Sequence, residues 1–377
     1  MHTHVAAPVR PLLKWAGGKR QLLQALGVYY PPRFHRYLEP FFGSGAVFFD
    51  LFNLGRLADR EVRLSDVNPD LIGAYHTLRD ETDAVIDALQ TLAQDYRRRG
   101  VEAYYDVRDL QFNPLRAANG SYTARLTAML IFLNRTGFNG LFRLNRKGAF
   151  NVPAGRYTDP RICDPAHLRS VAAAFRSPGV SIDLRSFDAT LADAGTGDFV
   201  YCDPPYAPLS RTSSFAGYTA AGFSGLDQQR LQQAVVAACQ RGAHVVVSNS
   251  SAPEIVDAYT APEARLAGLT VVRVPARRAI NSRAESRGPV DELVITNVQR
   301  LIDVQPLITT DPRRRLKMAK AGAALKDGSY PIADEEDLHN AIQSYGRAKD
   351  KAAARAHIMK RARALRKVDL LPEKWED

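Results

Sequence analysis

Three short segments carry residue types suited to chemistry on a nucleotide-like group. Asp203-Pro204-Pro205-Tyr206 follows directly on the apolar run Phe199-Val200-Tyr201-Cys202. Two prolines fix the backbone and leave the preceding carbonyls outside sheet pairing. A carboxylate and a rigid carbonyl can then accept hydrogen bonds from one amino group, and Tyr206 offers a flat face for stacking a base. The carboxyl end of a strand is where α/β folds bind ligands. A Pro-rich turn closing a strand is the plain structural alternative. The second segment is Phe41-Phe42-Gly43-Ser44-Gly45, whose glycines permit a tight turn beside a ligand at a helix N-terminus. Asp66 lies 21 residues past Gly45, where an acid holds a ribose in dinucleotide folds. The full G-x-G-x-x-G is absent, which counts against a nicotinamide. An ordinary turn with a helix-capping Asp explains the same residues equally well. The third segment, Leu13-Lys14-Trp15-Ala16-Gly17-Gly18-Lys19, lacks the first glycine of a Walker A loop and has Arg20 in place of Ser or Thr. It reads as a basic N-terminal loop rather than a P-loop.

The elements that must position these residues alternate. Arg36 to Phe42 reads as a strand running into the glycine turn, and Ala46 to Leu54 as a helix. Val62 to Asp66 is the next strand, and Asn68 starts another helix. Phe199 to Cys202, His244 to Ser248, Leu269 to Val274 and Leu293 to Thr296 read as further strands, with a helix from Leu226 to Gln240. This order predicts an α/β fold with a mostly parallel sheet covered on both faces. The stretch from about Gly73 to Arg161 breaks the alternation. Helix-like segments lead there into Leu133-Asn134-Arg135-Thr136-Gly137-Phe138-Asn139-Gly140-Leu141-Phe142-Arg143-Leu144-Asn145-Arg146-Lys147-Gly148, a polar, turn-rich run with basic and aromatic residues interleaved. It reads as an inserted domain with one long functional loop.

The chain has 377 residues, 51 Lys and Arg against 40 Asp and Glu, and 45% hydrophobic residues. That balance excludes wholesale disorder and a fibrous repeat. The net charge of +11 suits a polyanionic partner without proving one. Cys163, Cys202 and Cys239 form no CxxC pair, so neither a disulfide framework nor a zinc site is expected. No segment reads as a signal peptide or a membrane span. A soluble cytoplasmic protein is the expectation.

Taken together and in order, these segments resemble the Dam-type DNA adenine-N6 methyltransferases of the D12 class. The likeness runs from about residue 10 to 298. It includes Lys14-Trp15-Ala16-Gly17-Gly18-Lys19, Glu39-Pro40-Phe41-Phe42-Gly43-Ser44-Gly45, Asp66, the run Leu133 to Leu141, Phe150-Asn151-Val152-Pro153-Ala154-Gly155-Arg156-Tyr157, Tyr201 to Ser210, and Val290-Asp291-Glu292-Leu293. The resemblance implies a Rossmann-like S-adenosylmethionine-dependent methyltransferase sheet with an inserted helical DNA-recognition domain. The implied boundaries are 1–72 and 162–300 for the catalytic domain and 73–161 for the recognition domain.

The same resemblance assigns roles. Asp203, Pro204, Pro205 and Tyr206 match the catalytic motif. Trp15, Lys19, Phe41, Gly43, Asp66 and Asp203 match the S-adenosylmethionine contacts. Lys14, Phe138, Asn139, Leu141, Arg143, Pro153, Arg156 and Tyr157 match DNA-recognition positions. Phe138 stands where the family usually has an intercalating Tyr, and it keeps the apolar face. The implied reaction is methyl transfer to adenine N6 in a short duplex site, GATC, with the base flipped out and no metal. Arg143 and Lys14 are candidates for guanine reading, and the loop from Arg277 to Arg287 for phosphate contact. The expected setting is a monomer acting on double-stranded DNA in a bacterial or phage-infected cell.

Beyond residue 300 a linker (301–315) and a small basic helical module (316–377) are expected. From Leu301 on there are 16 basic and 12 acidic residues, so most of the excess charge lies elsewhere. Leu338, Ala341, Ile342 and Tyr345 have helical spacing, and His357-Ile358-Met359-Lys360-Arg361-Ala362 reads as the start of a basic helix. This tail is similar to a short module at the ends of phage proteins, with no partner assigned. Two other readings stay open: a DNA-binding or phage-assembly protein with a degenerate methyltransferase core, and the same chemistry on another site or nucleic acid.

Overall fold

The computed structural model describes residues 8–15, 18–19, 22–118, 121–207, 223–277 and 289–299, and towards the C-terminus 319, 321–325, 329–333, 337–338, 341–342, 345, 350–365, 367–372 and 375. The chain divides into one compact unit over 1–299 and a second over 300–377.

In the first unit, seven strands form one sheet: β1 Tyr37–Glu39, β2 Val62–Asp66, β3 Val180–Leu184, β4 Phe199–Cys202, β5 His244–Ser250, β6 Thr270–Arg277 and β7 Pro289–Thr296. Their spatial order is β3-β2-β1-β4-β5-β7-β6. The first five in that order pair in parallel, with Tyr37 opposite Val62 on one side and Phe199 on the other. β7 runs antiparallel between β5 and β6. The fold is the α/β architecture with a mostly parallel sheet expected from the sequence.

Side chains of the central strands alternate between two apolar clusters. Tyr37, Phe199 and Tyr201 enter one, and Leu38, Val200 and Cys202 enter the other. Burial on both faces makes these strands continuous apolar runs, which is why they are readable. β3 escaped the reading for the opposite reason. It is an edge strand paired only with β2, and Val180-Ser181-Ile182-Asp183-Leu184 buries Ile182 alone. β1 is also shorter than expected. It ends at Glu39, and Pro40, which has no N–H to give a ladder, begins the turn.

Among the described residues, the α-helices up to β5 are α1 Leu23–Leu26, α2 Ala46–Asn53, α3 Pro69–Asp80, α4 Thr82–Arg99, α5 Val101–Tyr105, α6 Asn113–Ala118, α7 Ala124–Thr136, α8 Pro165–Phe175, α9 Phe187–Ala192 and α10 Gly225–Gln240. The turn between β1 and α2 needs its glycines. Gly43 has φ +47° and Gly45 φ +69°, and a Cβ on Gly45 would lie 2.3 Å from Phe42 Cε2. Gly45→Ala combines a left-handed backbone penalty of about 1 kcal/mol with overpacking of a further 1–3 kcal/mol. The expected result is a lower denaturant midpoint at unchanged m-value, read by urea unfolding. α3 (Pro69–Asp80) follows β2. Asn68 caps it by accepting from Asp70 N and Leu71 N, as the sequence suggested.

Helix α3 runs through residue 73, where the inserted segment was expected to start. The segment continues with α4 (Thr82–Arg99) and, later, α7 (Ala124–Thr136), packed with Tyr96 edge-on to Phe132 at 5.7 Å. Asp70 ties the segment together. It takes a two-pronged pair from Arg116 and a hydrogen bond from Tyr122, while Arg116 Nη1 also donates to Gly148 O. After α7 the chain enters an irregular stretch pinned from beneath. Tyr104 Oη and Arg108 Nη1 donate to Val152 O, and Asn113 bonds both backbone groups of Phe150. Gly137 bridges Ala154, and Leu144 bridges Phe150.

In the second unit, Ile332, Leu338, Ala341, Ile358, Ala362, Leu371 and Trp375 form a small core, with Tyr345 edge-on to Trp375 at 4.4 Å. The expected basic helix is present but spans Lys351–Leu365, so it begins six residues before His357. His357 is buried, with Nε2 3.0 Å from Tyr330 O. The expected linker 301–315 lies outside the described residues. Among the described residues, no helix is long and apolar enough to cross a membrane.

Candidate active site

The carboxyl ends of β1, β2 and β4 bring the separate segments to one place. Asp203 and Tyr206 follow β4, and the turn carrying them is held from β5 and the helix α10 (Gly225–Gln240). Gln228 Nε2 donates to Pro205 O at 2.9 Å, and Asn249 Nδ2 donates to Gln228 Oε1 at 3.0 Å. Ser250 Oγ donates to Ala207 O at 2.7 Å. The two prolines thus sit in a turn braced by buried amide side chains. Pro208, Leu209 and Ser210, also part of the matched run, lie outside the described residues.

Lys19 arrives from the N-terminal segment. Its Nζ is 2.8 Å from Asp203 Oδ1 and 4.5 Å above the Tyr206 ring, and the side chain is buried. Burial pushes the Asp203 carboxyl up to about 6; the Lys19 cation pulls against this, and the Glu292 charge adds to it. Glu39, at the end of β1, is fully buried and accepts from Tyr37 Oη at 2.8 Å. Burial, with Asp203 and Asp66 nearby, holds its carboxyl well above the usual carboxylate range.

Asp66 ends β2 beside the glycine turn. Its Oδ2 accepts from Gly43 N at 3.0 Å and its Oδ1 from Asn68 N at 2.9 Å. Tyr75 Oη donates to Gly43 O at 2.7 Å, which fixes the turn from the other side. A carboxylate offers about four lone-pair positions, so two backbone bonds leave room for a pair of hydroxyls. Trp15 closes over the same turn, since a Cβ on Gly43 would sit 3.2 Å from its Cδ1. Phe41 stacks on Phe187 at 5.3 Å, with Phe223 edge-on at 5.8 Å. An acid with acceptor positions to spare beside an aromatic cluster fits an adenosine-bearing molecule.

The positions expected to contact DNA lie along the irregular stretch after α7, apart from Lys14 in the N-terminal segment. Lys14, Phe138, Asn139, Arg143, Pro153 and Arg156 are exposed, and Leu141 and Tyr157 are half-buried. Phe138 is 48% exposed, an unusual state for a large apolar ring. Asn139 and Gly140 both have positive φ, so the backbone turns sharply just after it. Asn134 locks this loop to the N-terminal segment: it bonds Lys14 N and O and also donates to Gly140 O at 2.8 Å. Lys14 Nζ lies 4.7 Å above the Tyr157 ring. Arg143 Nε donates to Asn151 Oδ1 at 2.8 Å. Trp15 stacks on Phe142 at 5.7 Å, so one N-terminal segment touches both the glycine turn and the recognition stretch. The expected phosphate-contacting loop falls outside the described residues beyond Arg277, as do Ala16 and Gly17.

The D12 class N6 adenine-specific DNA methyltransferase model matches residues 15–274. The chain belongs to that family. A Type II methyltransferase of Lactococcus lactis subsp. cremoris, M1.LlaDCHI, is 35% identical over 289 residues, covering 77% of this chain and 95% of its own. The DNA adenine methylase of Escherichia coli (strain K12) is 34% identical over 285 residues, covering 76% and 94%. The DNA N-6-adenine-methyltransferase of Escherichia phage P1 is 37% identical over 285 residues, which are 76% of this chain and 35% of the phage protein. The protein is an adenine-specific DNA methyltransferase.

Sequence reasoning missed several groups in this methyltransferase's site. Phe187 opens the helix α9 (Phe187–Ala192) just after β3, the strand that was not read, so its place beside Phe41 was invisible. Gln228 is one of five glutamines in α10 and Asn249 lies between two serines of β5, so neither stood out in the sequence. Glu292 was noticed only as part of a matched motif.

Proposed function

We propose that the methyltransferase transfers a methyl group from S-adenosylmethionine to adenine N6 within duplex GATC, after flipping the adenine out of the helix. The observation that carries this is the position of Asp203 and Tyr206. They sit in a proline-fixed turn at the carboxyl end of β4, beside the acid and aromatic cluster of the glycine turn.

Asp66 takes the ribose hydroxyls, and Trp15, Phe41 and Gly43 line the same cofactor pocket. Lys19 engages Asp203 Oδ1, so Asp203 Oδ2 and the Pro204 carbonyl are assigned the two N6–H bonds. Accepting both hydrogens draws the amino nitrogen towards tetrahedral geometry and frees its lone pair. The flipped base stacks on the face of Tyr206 opposite Lys19. The methyl sulfonium of S-adenosylmethionine is an electrophile that carries its own leaving group. Catalysis by the protein is then positioning and electrostatics.

Phe138 wedges into the space the adenine leaves, at an unstacking cost of about a few kcal/mol that the closed site must offset. Lys14 and Arg143 read guanine, and Asn139, Leu141, Pro153, Arg156 and Tyr157 complete the contact surface. Residues 73–161 form the recognition segment, whose first residues continue helix α3. The tail is a separate helical module with no assigned partner.

The target site is tested by incubating unmethylated plasmid with protein and S-adenosylmethionine, then digesting with a methyl-sensitive nuclease at GATC. Cofactor-dependent protection is the expected result. Labelled methyl transfer to DNA without protection would refute GATC alone. A pH dependence follows from the Asp203 carboxyl near 6. The charged form is the one whose Oδ2 accepts an N6–H bond. So kcat/KM falls as pH drops through about 6, well above the usual carboxylate range, and is flat above that until another group titrates. A pH–rate profile checks it.

A further inference from the structure

Glu292 lies in the matched segment Val290-Asp291-Glu292-Leu293, and nothing above gives it a task. It stands on β7, opposite Ser250 of β5, at the end of the sheet that carries the catalytic turn. Its Oε2 accepts from Tyr206 Oη at 2.6 Å and lies 4.0 Å from Lys19 Nζ. That same Nζ is 2.8 Å from Asp203 and 4.5 Å above the Tyr206 ring. Four groups from three separate parts of the chain therefore close one circuit.

We propose that Glu292 is a positioning residue for methyl transfer, fixing the plane of the Tyr206 ring by its hydrogen bond and sharing the Lys19 cation with Asp203. The proposal rests on the reading that Asp203 and Tyr206 hold the adenine. A phenol ring has two rotatable torsions. A charge-assisted bond at its tip removes most of that freedom and sets the stacking platform before the base arrives. A second carboxylate beside Lys19 also weakens the cation's hold on Asp203. Burial and the Glu292 charge both push the Asp203 carboxyl up, and Lys19 opposes them. Among the described residues, the other ionisable groups near Asp203 include Glu39 on β1 and, on β4, Cys202 and Tyr201, the hydroxyl of Tyr201 meeting Ser248 Oγ at 3.0 Å. Asp291 is exposed and lies 3.9 Å from Arg273.

The test uses the full-length enzyme and single-turnover kinetics. Glu292→Leu is expected to lower kcat roughly 10- to 100-fold, the scale of a misplaced reacting group, with S-adenosylmethionine KM and DNA Kd nearly unchanged. Glu292→Gln keeps an acceptor oxygen without the charge. It is expected to recover most of kcat and to move the acid limb of the pH profile to lower pH. In a Tyr206→Phe background, Glu292→Leu should cost much less at a pH well above the acid limb, because the hydroxyl it anchors is gone and only its effect through Lys19 remains. An unchanged kcat in Glu292→Leu overturns the proposal, as does an equal loss in the Tyr206→Phe background, or a pH profile that Glu292→Gln leaves in place. Asp203→Ala is measured alongside. If that variant turns over normally, the reading of the site fails. If it is inactive while Glu292→Leu behaves as wild type, only this inference fails.

Discussion

Asp203→Ala is expected to abolish methyl transfer while leaving most of the DNA affinity. The carboxylate is the group proposed to change the geometry of N6, and removing one such preorganised partner typically lowers turnover by roughly 100- to 1,000-fold. Here the loss should reach at least the upper end, because Asp203 also anchors Lys19 at 2.8 Å. Protein–DNA affinity generally comes mainly from phosphate contacts, which a catalytic carboxylate does not make, so Kd should move by no more than about threefold at fixed salt. Filter binding and single-turnover transfer on the same preparation separate the two effects. A thermal melt guards against unfolding, since the variant leaves Lys19 buried without this carboxylate. Asp203→Asn keeps the shape and one acceptor, and should retain more DNA-independent stability than the alanine variant but little turnover.

The second large effect concerns the methyl donor. Asp66→Asn keeps one oxygen for a backbone bond and loses the charge that suits a pair of hydroxyls. Hydrogen bonds to a charged group contribute about 1.5–3 kcal/mol each, so S-adenosylmethionine binding should weaken on the order of 100-fold. The chemical step at saturating donor should change far less. Isothermal titration without DNA isolates the binding term. Asp66 bonds Gly43 N and Asn68 N, neither of them among the positions expected to contact DNA, so DNA affinity should be unaltered. A variant that binds the donor as wild type does would remove Asp66 from the pocket.

The parts of this site legible in the sequence were those fixed by local rules. Asp203 follows an apolar strand that is buried on both faces, Asp66 ends a strand that buries Val62 and Leu64, and Gly43 and Gly45 occupy a turn only glycine adopts comfortably. Strand followed by special residue is a local pattern, so their meeting at one sheet end follows from parallel topology. What stayed hidden depends on long-range pairing. Glu292 reaches Tyr206 because β7 inserts antiparallel beside β5, and no spacing in the chain announces that. Phe187 follows an edge strand whose polar alternation does not stand out. Asn134 looks like one polar residue near a helix end, yet its side chain joins two segments 120 residues apart.

The most direct test is nucleoside mass spectrometry of DNA incubated with the enzyme and S-adenosylmethionine. The account predicts N6-methyldeoxyadenosine with the wild-type protein and none with Asp203→Ala. N4-methyldeoxycytidine in its place, or N6-methyldeoxyadenosine formed equally well by Asp203→Ala, would contradict it.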